Sequence, residues 1–181
     1  MGNIIKIRKA TVGDAEVVTK IRYETWQVAY KDLLPESVLK DFNFEKEVEK
    51  RIAFINANKG ILGLYVAEYN GNVVGFSITN NAEETQTTKP LIENCGEVYA
   101  IYVLPEYHNV GAGFALMNNN KQMLSKNGYN KFVLWCLKGN EKARKFYERQ
   151  GGVAIGEEEK QLRGTMQKEV CYLFDLKDLM E

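Results

Sequence analysis

Two apolar strands joined by a glycine-containing loop and a helix occupy positions 98–137, and this succession restricts the fold more than any other feature of the chain. The strands are predicted over 98–104 and 131–137, and the helix over 111–127. Strands connected through a helix of this length pair in parallel, with a right-handed crossover. The sequence therefore predicts a parallel βαβ unit inside a larger sheet.

Antiparallel hairpins are predicted on both sides of this unit. Before it, strands at 61–68 and 73–79 flank an Asn-Gly pair at 70–71, which is the strongest short signal for a type I′ turn. After it, strands at 153–159 and 169–176 close the chain as a second antiparallel pair. The sheet should thus be mixed and mostly antiparallel.

Helices are predicted at 15–30, from after Pro35 to about 58 with a break near Asn43, and at 140–150, after a first strand at 4–10. The first helix carries an apolar arc that should face the core. The arc consists of Val17, Val18, Ile21, Val28 and Ala29. These elements predict a mixed α/β (α+β) fold with a central parallel βαβ unit and flanking helices.

Composition agrees with one globular domain spanning residues 1–181, since hydrophobic residues make up 45% of the chain and charged residues 27%. The 24 basic and 24 acidic residues balance, so no net charge favours nucleic acid or an anionic membrane as a partner. Cys95, Cys136 and Cys171 are odd in number and widely spaced, which predicts neither a disulfide framework nor a metal site. We expect a reducing, cytoplasmic location.

Glycines stand at the start of the helix that follows the first strand of the βαβ unit. At Gly111 and Gly113 a ligand can approach the backbone, and the unpaired N–H groups of a first helical turn attract phosphate. Close packing of helix on strand explains the same glycines equally well. The dinucleotide fingerprint requires a third glycine where Leu116 stands, and the Walker loop requires an absent Gly-Lys-Ser/Thr, so both of these readings are disfavoured.

A second cluster follows the strand at 131–137. Ala143, Phe146 and Tyr147 share one face of a short helix whose first residue, Asn140, is a good N-cap. Periodicity alone makes them core residues. The hydroxyl of a buried tyrosine nevertheless needs a partner, and it is also able to act as a proton donor.

Both segments resemble motifs of the GNAT superfamily of N-acetyltransferases. The His-x-x-Gly-x-Gly stretch at 108–113 is similar to its acyl-coenzyme A signature, in which Gln or Arg usually stands at the position of His108. The Asn-x-x-Ala-x-x-Phe-Tyr-x-x-x-Gly stretch at 140–151 resembles the next motif, although Gly152 replaces a common aromatic residue. The order of predicted elements also matches this superfamily.

The resemblance implies an acetyl-CoA-dependent N-acetyltransferase that transfers acetyl directly to a primary amine of a small molecule or peptide. A catalytically silent acyl-CoA-binding or sensing module on the same fold is the alternative. The implied coenzyme A contacts lie on the first strand, the glycine loop and the short helix. They are Ile101, Tyr102, Val103, His108, Asn109, Val110, Gly111, Ala112, Gly113, Asn140 and Tyr147.

Catalytic roles follow from the same resemblance. Tyr147 matches the tyrosine that protonates the leaving sulfur. A primary alkyl amine titrates near 10.4, so it needs a base at neutral pH. Glu97 is the candidate, because strand alternation places it on one face with Tyr99, Ile101 and Val103. A solvated glutamate at a strand end is the alternative for Glu97.

Acceptor recognition is predicted on the first two helices and on a loop at 80–94. Trp26 and Tyr30, at i and i+4, are able to wall an amine pocket through cation–π attraction. Packing against the second helix explains them equally well. Self-association through the closing strands is a further expectation, whereas the identity of the amine stays open.

Overall fold

The computed structural model describes residues 4–58, 60–82 and 92–177. Within these residues one sheet of seven strands has the order β1-β2-β3-β4-β5-β7-β6. The strands are β1 (Ile5–Lys9), β2 (Gly63–Tyr69), β3 (Asn72–Asn81), β4 (Cys95–Val103), β5 (Lys131–Leu137), β6 (Val153–Leu162) and β7 (Thr165–Asp175). The helices are α1 (Ala15–Ala29), α2 (Glu36–Lys40), α3 (Phe44–Ala57), α4 (Ala112–Lys126) and α5 (Glu141–Arg149), with 3₁₀ turns at Val12–Asp14 and Pro105–Tyr107.

All neighbouring strands run antiparallel except β4 and β5, which pair in parallel around α4. The predicted βαβ unit and the mixed, mostly antiparallel sheet are therefore confirmed. Asn70 and Gly71 both have positive φ, at 50° and 85°, as a type I′ turn requires. Arg163 and Gly164 repeat this geometry between β6 and β7, so that hairpin is longer than predicted.

The sheet is covered by helices on both faces. On one face α1 buries Val18 and Ile21 against β2 and β3, and α3 packs beside α1. On the other face α4 buries Leu116, Met117 and Leu124. Burial of these apolar side chains from both sides provides the main free energy that holds the layers together.

The predicted core arc of α1 is wrong at its C-terminal end. Val28 is 60% exposed and Ala29 is exposed, whereas Thr25 is buried in their place. The physical reason is that the last turn of α1 lies beside a cleft instead of over the sheet, and Val28 and Ala29 line that cleft. The predicted helix break near Asn43 is confirmed, because Asn43 caps α3 by accepting a hydrogen bond from Lys46 N at 2.9 Å.

The parallel pairing of β4 and β5 is short. It runs from Cys95 opposite Lys131 to Glu97 opposite Val133, after which the two strands separate. The separation begins where β4 carries an extra residue, Tyr99, that shifts its register against β3. A bulge of this kind bends and twists its strand. The result is an opening in the middle of the sheet. Of the predicted loop at 80–94, positions 83–91 lie outside the described residues.

Candidate active site

The opening between β4 and β5 is a cleft of about 770 Å³. Its walls are the diverging halves of the two strands, the last turn of α1, the start of α4, one face of α5 and part of the β6–β7 hairpin. The cleft therefore gathers side chains from positions more than a hundred residues apart.

One wall of the cleft is a backbone edge that no neighbouring strand covers, although Val103 O pairs with His108 Nε2. Backbone groups of an antiparallel strand alternate between its two edges. Leu104 N donates to Val74 O at 2.9 Å on the β3 side of the strand. The backbone N–H and C=O groups of Ile101 and Val103 therefore point to the cleft side. Because β5 has separated from β4 at this level, an extended ligand is able to pair there as an added strand.

The start of α4 closes one end of the cleft. Its N-cap, Gly111, has φ of 94° and makes no side-chain capping hydrogen bond. The first N–H groups of a helix lack intrahelical acceptors and carry the positive end of its dipole. The side chains of Val110 and Ala112 pack in the protein core, and neither of these predicted contact residues lines the cleft.

Gly113 distinguishes between the two explanations for the glycines. A Cβ built on it would lie 3.5 Å from the ring of Phe146, an ordinary van der Waals contact. Protein packing therefore does not require glycine at this position. Positive φ explains Gly111, and Asn109 likewise has φ of 66°. Gly113 lines the cleft, so its lack of a side chain leaves room for a ligand at the backbone.

His108 joins β4 to α5 across the mouth of the cleft. Its Nε2 lies 3.0 Å from Val103 O, and its Nδ1 lies 2.7 Å from Lys142 Nζ. A carbonyl only accepts and an ammonium only donates, so the ring proton is on Nε2. Both ring nitrogens have protein partners, and Lys142, which sequence reasoning missed, brings the positive charge to this place.

The short helix α5 carries the two residues of the second motif. Asn140 Oδ1 accepts a hydrogen bond from Ala143 N at 3.2 Å, so Asn140 caps α5 and also lines the cleft. Tyr147 is 8% exposed, and its hydroxyl has no hydrogen-bond partner among the described residues. Burial, followed by the neighbouring Cys136 and Tyr102, raises the pKa of Tyr147 well above its usual range. The hydroxyl therefore keeps its proton at neutral pH.

Glu97 lines the cleft and is 4% exposed, but its predicted face is wrong. Simple alternation placed it with Tyr99, Ile101 and Val103. The bulge at Tyr99 reverses the alternation, because Val98 and Ile101 both pack in the core cluster beneath α4. Glu97 therefore lies on the opposite face of β4, towards α1.

Trp26 and Tyr30 are neighbours in the cleft wall, with ring centroids 5.1 Å apart in an edge-to-face arrangement. Trp26 Nε1 donates to the Tyr102 hydroxyl at 3.1 Å. Two guanidinium groups of this chain already lie at the Trp26 ring, Arg22 at 4.7 Å and Arg163 at 5.4 Å from its centroid. The cations at the Trp26 ring in this structure are thus arginines of the same chain.

Sequence reasoning also missed two charged residues that line the cleft. Glu169 on β7 lies 3.7 Å from Lys160, and burial raises the pKa of its carboxyl group. Arg51 on α3 stands near the ring of Phe76, with its guanidinium carbon 5.9 Å from the ring centroid. No local pattern separates these residues from the other charges of their elements, since only long-range packing brings them to the cleft.

The described ranges provide no group of three or more His, Cys, Asp or Glu side chains arranged to hold a metal ion. Cys95, Cys136 and Cys171 are buried and not bonded to one another. Within the same ranges no helix has the length and apolar character that crossing a membrane requires.

Comparison with known proteins identifies the family. The model of the acetyltransferase (GNAT) family matches residues 20–152, which is well over half of the chain. The chain therefore belongs to this family, and the predicted superfamily, fold class and enzyme class, N-acetyltransferase, are confirmed. Acetyl-CoA, the acetyl donor predicted for the chain, is the donor of this family.

Sequence relatives share this class at low identity. The uncharacterized N-acetyltransferase YuaI of Bacillus subtilis is 26% identical over 168 residues, covering 92% of this chain and 91% of the relative. Spermidine N(1)-acetyltransferase of Thermoplasma acidophilum is 21% identical over 150 residues, covering 81% of this chain and 87% of the relative.

Solved structures share the fold. PaiA N-acetyltransferase from Thermoplasma acidophilum in complex with coenzyme A has a TM-score of 0.69 at 21% identity, covering 92% of this chain and 98% of that one. YncA from Salmonella typhimurium with acetyl-CoA has a TM-score of 0.72 at 16% identity, covering 95% and 94%. Since the open edge of β4 and the cradle at Gly113 both suit an extended phosphorylated ligand, the residues present fit this donor.

Proposed function

We propose that this chain transfers the acetyl group of acetyl-CoA directly to the primary amine of a small molecule or peptide. The observation that carries the proposal is the cleft where β4 and β5 separate, with an open helix N-terminus at one end and Tyr147 and Glu97 in its walls. An extended phosphorylated ligand and two proton-transferring side chains are what such a reaction requires.

The cofactor contacts divide between backbone and side chains. Backbone N–H groups at 110–113 bind the pyrophosphate, and the open edge at Ile101 and at the N–H of Val103 pairs with the pantetheine arm. Asn109 and Asn140 contact that arm from the two ends of the cleft. Lys142, held by His108, adds a positive charge near the phosphates.

The remaining predicted contact, Tyr102, acts through its side chain. Its backbone belongs to the pairing of β4 with β3, where it stands opposite Phe76. Its hydroxyl holds Trp26 in place, so Tyr102 shapes the acceptor side of the cleft.

Bound acetyl-CoA supplies a thioester whose carbonyl carbon is the electrophile and whose sulfur is the leaving group. Backbone N–H groups of β4 at the cleft donate to the carbonyl oxygen, where negative charge develops. Glu97 receives the proton that the amine nitrogen loses, directly or through water. Tyr147 donates its hydroxyl proton to the sulfur, so that the products are an amide and a thiol.

The test measures binding and turnover separately. Thermal unfolding with acetyl-CoA, NAD and ATP in parallel should show stabilisation by acetyl-CoA alone, by roughly 2.7 kcal/mol at about 100 times its Kd. Release of coenzyme A thiol is then followed with a panel of amines. Acetyl-CoA binding without turnover on any amine would support the silent acyl-CoA module instead, and preference for NAD or ATP would refute the cofactor assignment.

Location and assembly belong to the proposal as well. We infer a cytoplasmic protein whose partners are acceptor amines and not nucleic acid or membrane, with self-association through β6 and β7. Val153, Ile155 and Met166 on these strands are exposed apolar side chains that support such an interface. Light scattering of the purified chain tests the oligomeric state.

A further inference from the structure

The acceptor side of the cleft holds more positive charge than its own carboxylates neutralise. Arg22 donates to Glu47 at 2.9 Å, and Glu47 also pairs with Lys50 at 2.6 Å. Arg163 lies close to the same tryptophan ring as Arg22. Glu47 is thus already shared between two cations, Arg22 and Lys50. Arg51 is a third cation, one turn further along α3.

Arg51 is the cation of this group for which the described part of the chain provides no ion pair. Its Nε–H is buried and donates no hydrogen bond to any described residue, and no carboxylate in that part of the chain forms an ion pair with it. Burial and the like charge of Arg22 lower the pKa of Arg51. Glu47, which Arg22 and Lys50 already share, attracts Arg51 without forming an ion pair with it. A half-buried guanidinium without an anion in contact is costly, so a protein that keeps one at a cleft gains from an anion that binds there.

Glu97 and Arg51 provide opposite charges in the same cleft. The bulge at Tyr99 turns Glu97 to the face of β4 that α1 and α3 cover, and Arg51 extends from α3 over Phe76 on that face. A ligand with an amine and an anion in one molecule would therefore meet a carboxylate and a guanidinium. A polyamine has no group for Arg51, whose positive charge would repel it.

We propose that the acceptor is a small primary amine that also carries a carboxylate, of the α-amino acid type, and that Arg51 binds this carboxylate. The inference rests on the proposed acetyl transfer and names the substrate class of that same site. Arg51 forms a charge-assisted hydrogen bond to the carboxylate, which fixes the amine within reach of Glu97.

The experiment compares matched acceptors with the full chain. Thiol release is measured with common L-amino acids, with their carboxamides and with spermidine. The amino acid that reacts best should exceed its own amide and spermidine in kcat/KM by about tenfold or more, as expected for one charge-assisted hydrogen bond. An amide or spermidine that reacts as well as the acid would overturn the inference and leave acetyl transfer intact.

Arg51→Met should remove the preference for the acid, chiefly through a rise of about tenfold to a hundredfold in KM. Arg51→Lys keeps a point charge and should retain part of the preference. Lys46→Met is the matched control, because it removes a charge from the solvent-exposed face of the same helix and should change neither value. A preference that survives in Arg51→Met would contradict the assignment.

Stability separates a binding role from a structural one. If Arg51 held the fold together, its replacement would lower the melting temperature. Removal of an unpaired buried charge should leave the melting temperature of the ligand-free protein unchanged or raise it. Stabilisation by acetyl-CoA serves as the check on the proposed function itself, since it should be equal in the natural chain and in Arg51→Met. If acetyl-CoA stabilises neither protein, it is the acetyl-transfer proposal that fails.

Discussion

The side chain of Tyr147 is buried beside the cleft, and its hydroxyl has no hydrogen-bond partner among the described residues. Tyr147→Phe therefore breaks no hydrogen bond to the described residues and should leave the melting temperature of the free protein unchanged. If the hydroxyl protonates the leaving sulfur, kcat at neutral pH should fall by about a hundredfold or more. Stabilisation by acetyl-CoA, measured in the same preparation, should stay as it was. An unchanged kcat would remove Tyr147 from the acid role.

Glu97 is the second residue whose role is open to a direct test. Glu97→Gln should lower kcat/KM at pH 7 by about a hundredfold, because a primary amine titrates near 10.4 and no longer has a base. Activity should recover as the pH rises, since the amine then loses its proton to solvent. The pH profile of thiol release provides the measurement. Glu169→Gln is the comparison variant. If Glu169→Gln loses activity at pH 7 and recovers it at higher pH, while Glu97→Gln does not, the base is Glu169.

A substitution at the start of α4 tests ligand binding and packing separately. Gly113→Ala introduces a Cβ that the protein accommodates, so the melting temperature of the free chain should be equal or slightly higher. The same Cβ occupies the cleft beside the backbone N–H groups. Stabilisation by acetyl-CoA should therefore fall sharply in a thermal-unfolding titration.

The matched control for this element is Gly156→Ala on β6, where an added Cβ meets open space. It should affect neither stability nor cofactor binding. Gly111→Ala tests the other glycine. Because Gly111 has φ of 94°, a side chain there should destabilise the free protein by about 1 kcal/mol. Full acetyl-CoA stabilisation in Gly113→Ala would refute the phosphate cradle.

A charged cluster outside the cleft contributes to the stability of the whole molecule. Arg8 on β1 donates to Asp14 at 2.8 Å and to Glu68 on β2 at 2.6 Å, which ties the first strand to the start of α1. This guanidinium lowers the pKa of Asp14 from 3.8 to about 2. The shift corresponds to about 2 kcal/mol of stability, present above pH 3.8 and lost as the pH falls towards 2.

Asp14→Asn should accordingly lower the free energy of unfolding by about 2 kcal/mol at pH 7. The difference from the natural chain should shrink in acid, where Asp14 itself becomes protonated. Urea unfolding at pH 7 and at acidic pH measures both values. Glu36→Gln, which removes an exposed carboxylate from α2, should have no comparable effect, and an equal loss at all pH values would contradict the ion-pair explanation.

Local chemistry accounts for what the sequence determined. Turn types, caps and apolar periodicity depend on residues within a few positions of each other, so the Asn70-Gly71 turn, the Asn43 cap and the βαβ unit were all predictable. The two motifs around Gly111 and Tyr147 were likewise readable, because each occupies one short segment. These features were sufficient for the fold class, the family and the end of the cleft where the cofactor is proposed to bind.

Tertiary packing decided the acceptor side. Trp26 meets Tyr102 across 76 positions of sequence, and Arg22 meets Glu47 across 25, so no local window contains either pair. One inserted residue, Tyr99, turned Glu97 to the other face of β4, because side-chain alternation has a period of two. Sequence alone therefore determined which chemistry this chain belongs to, while the folding of distant elements against β4 decided which charges an acceptor would meet.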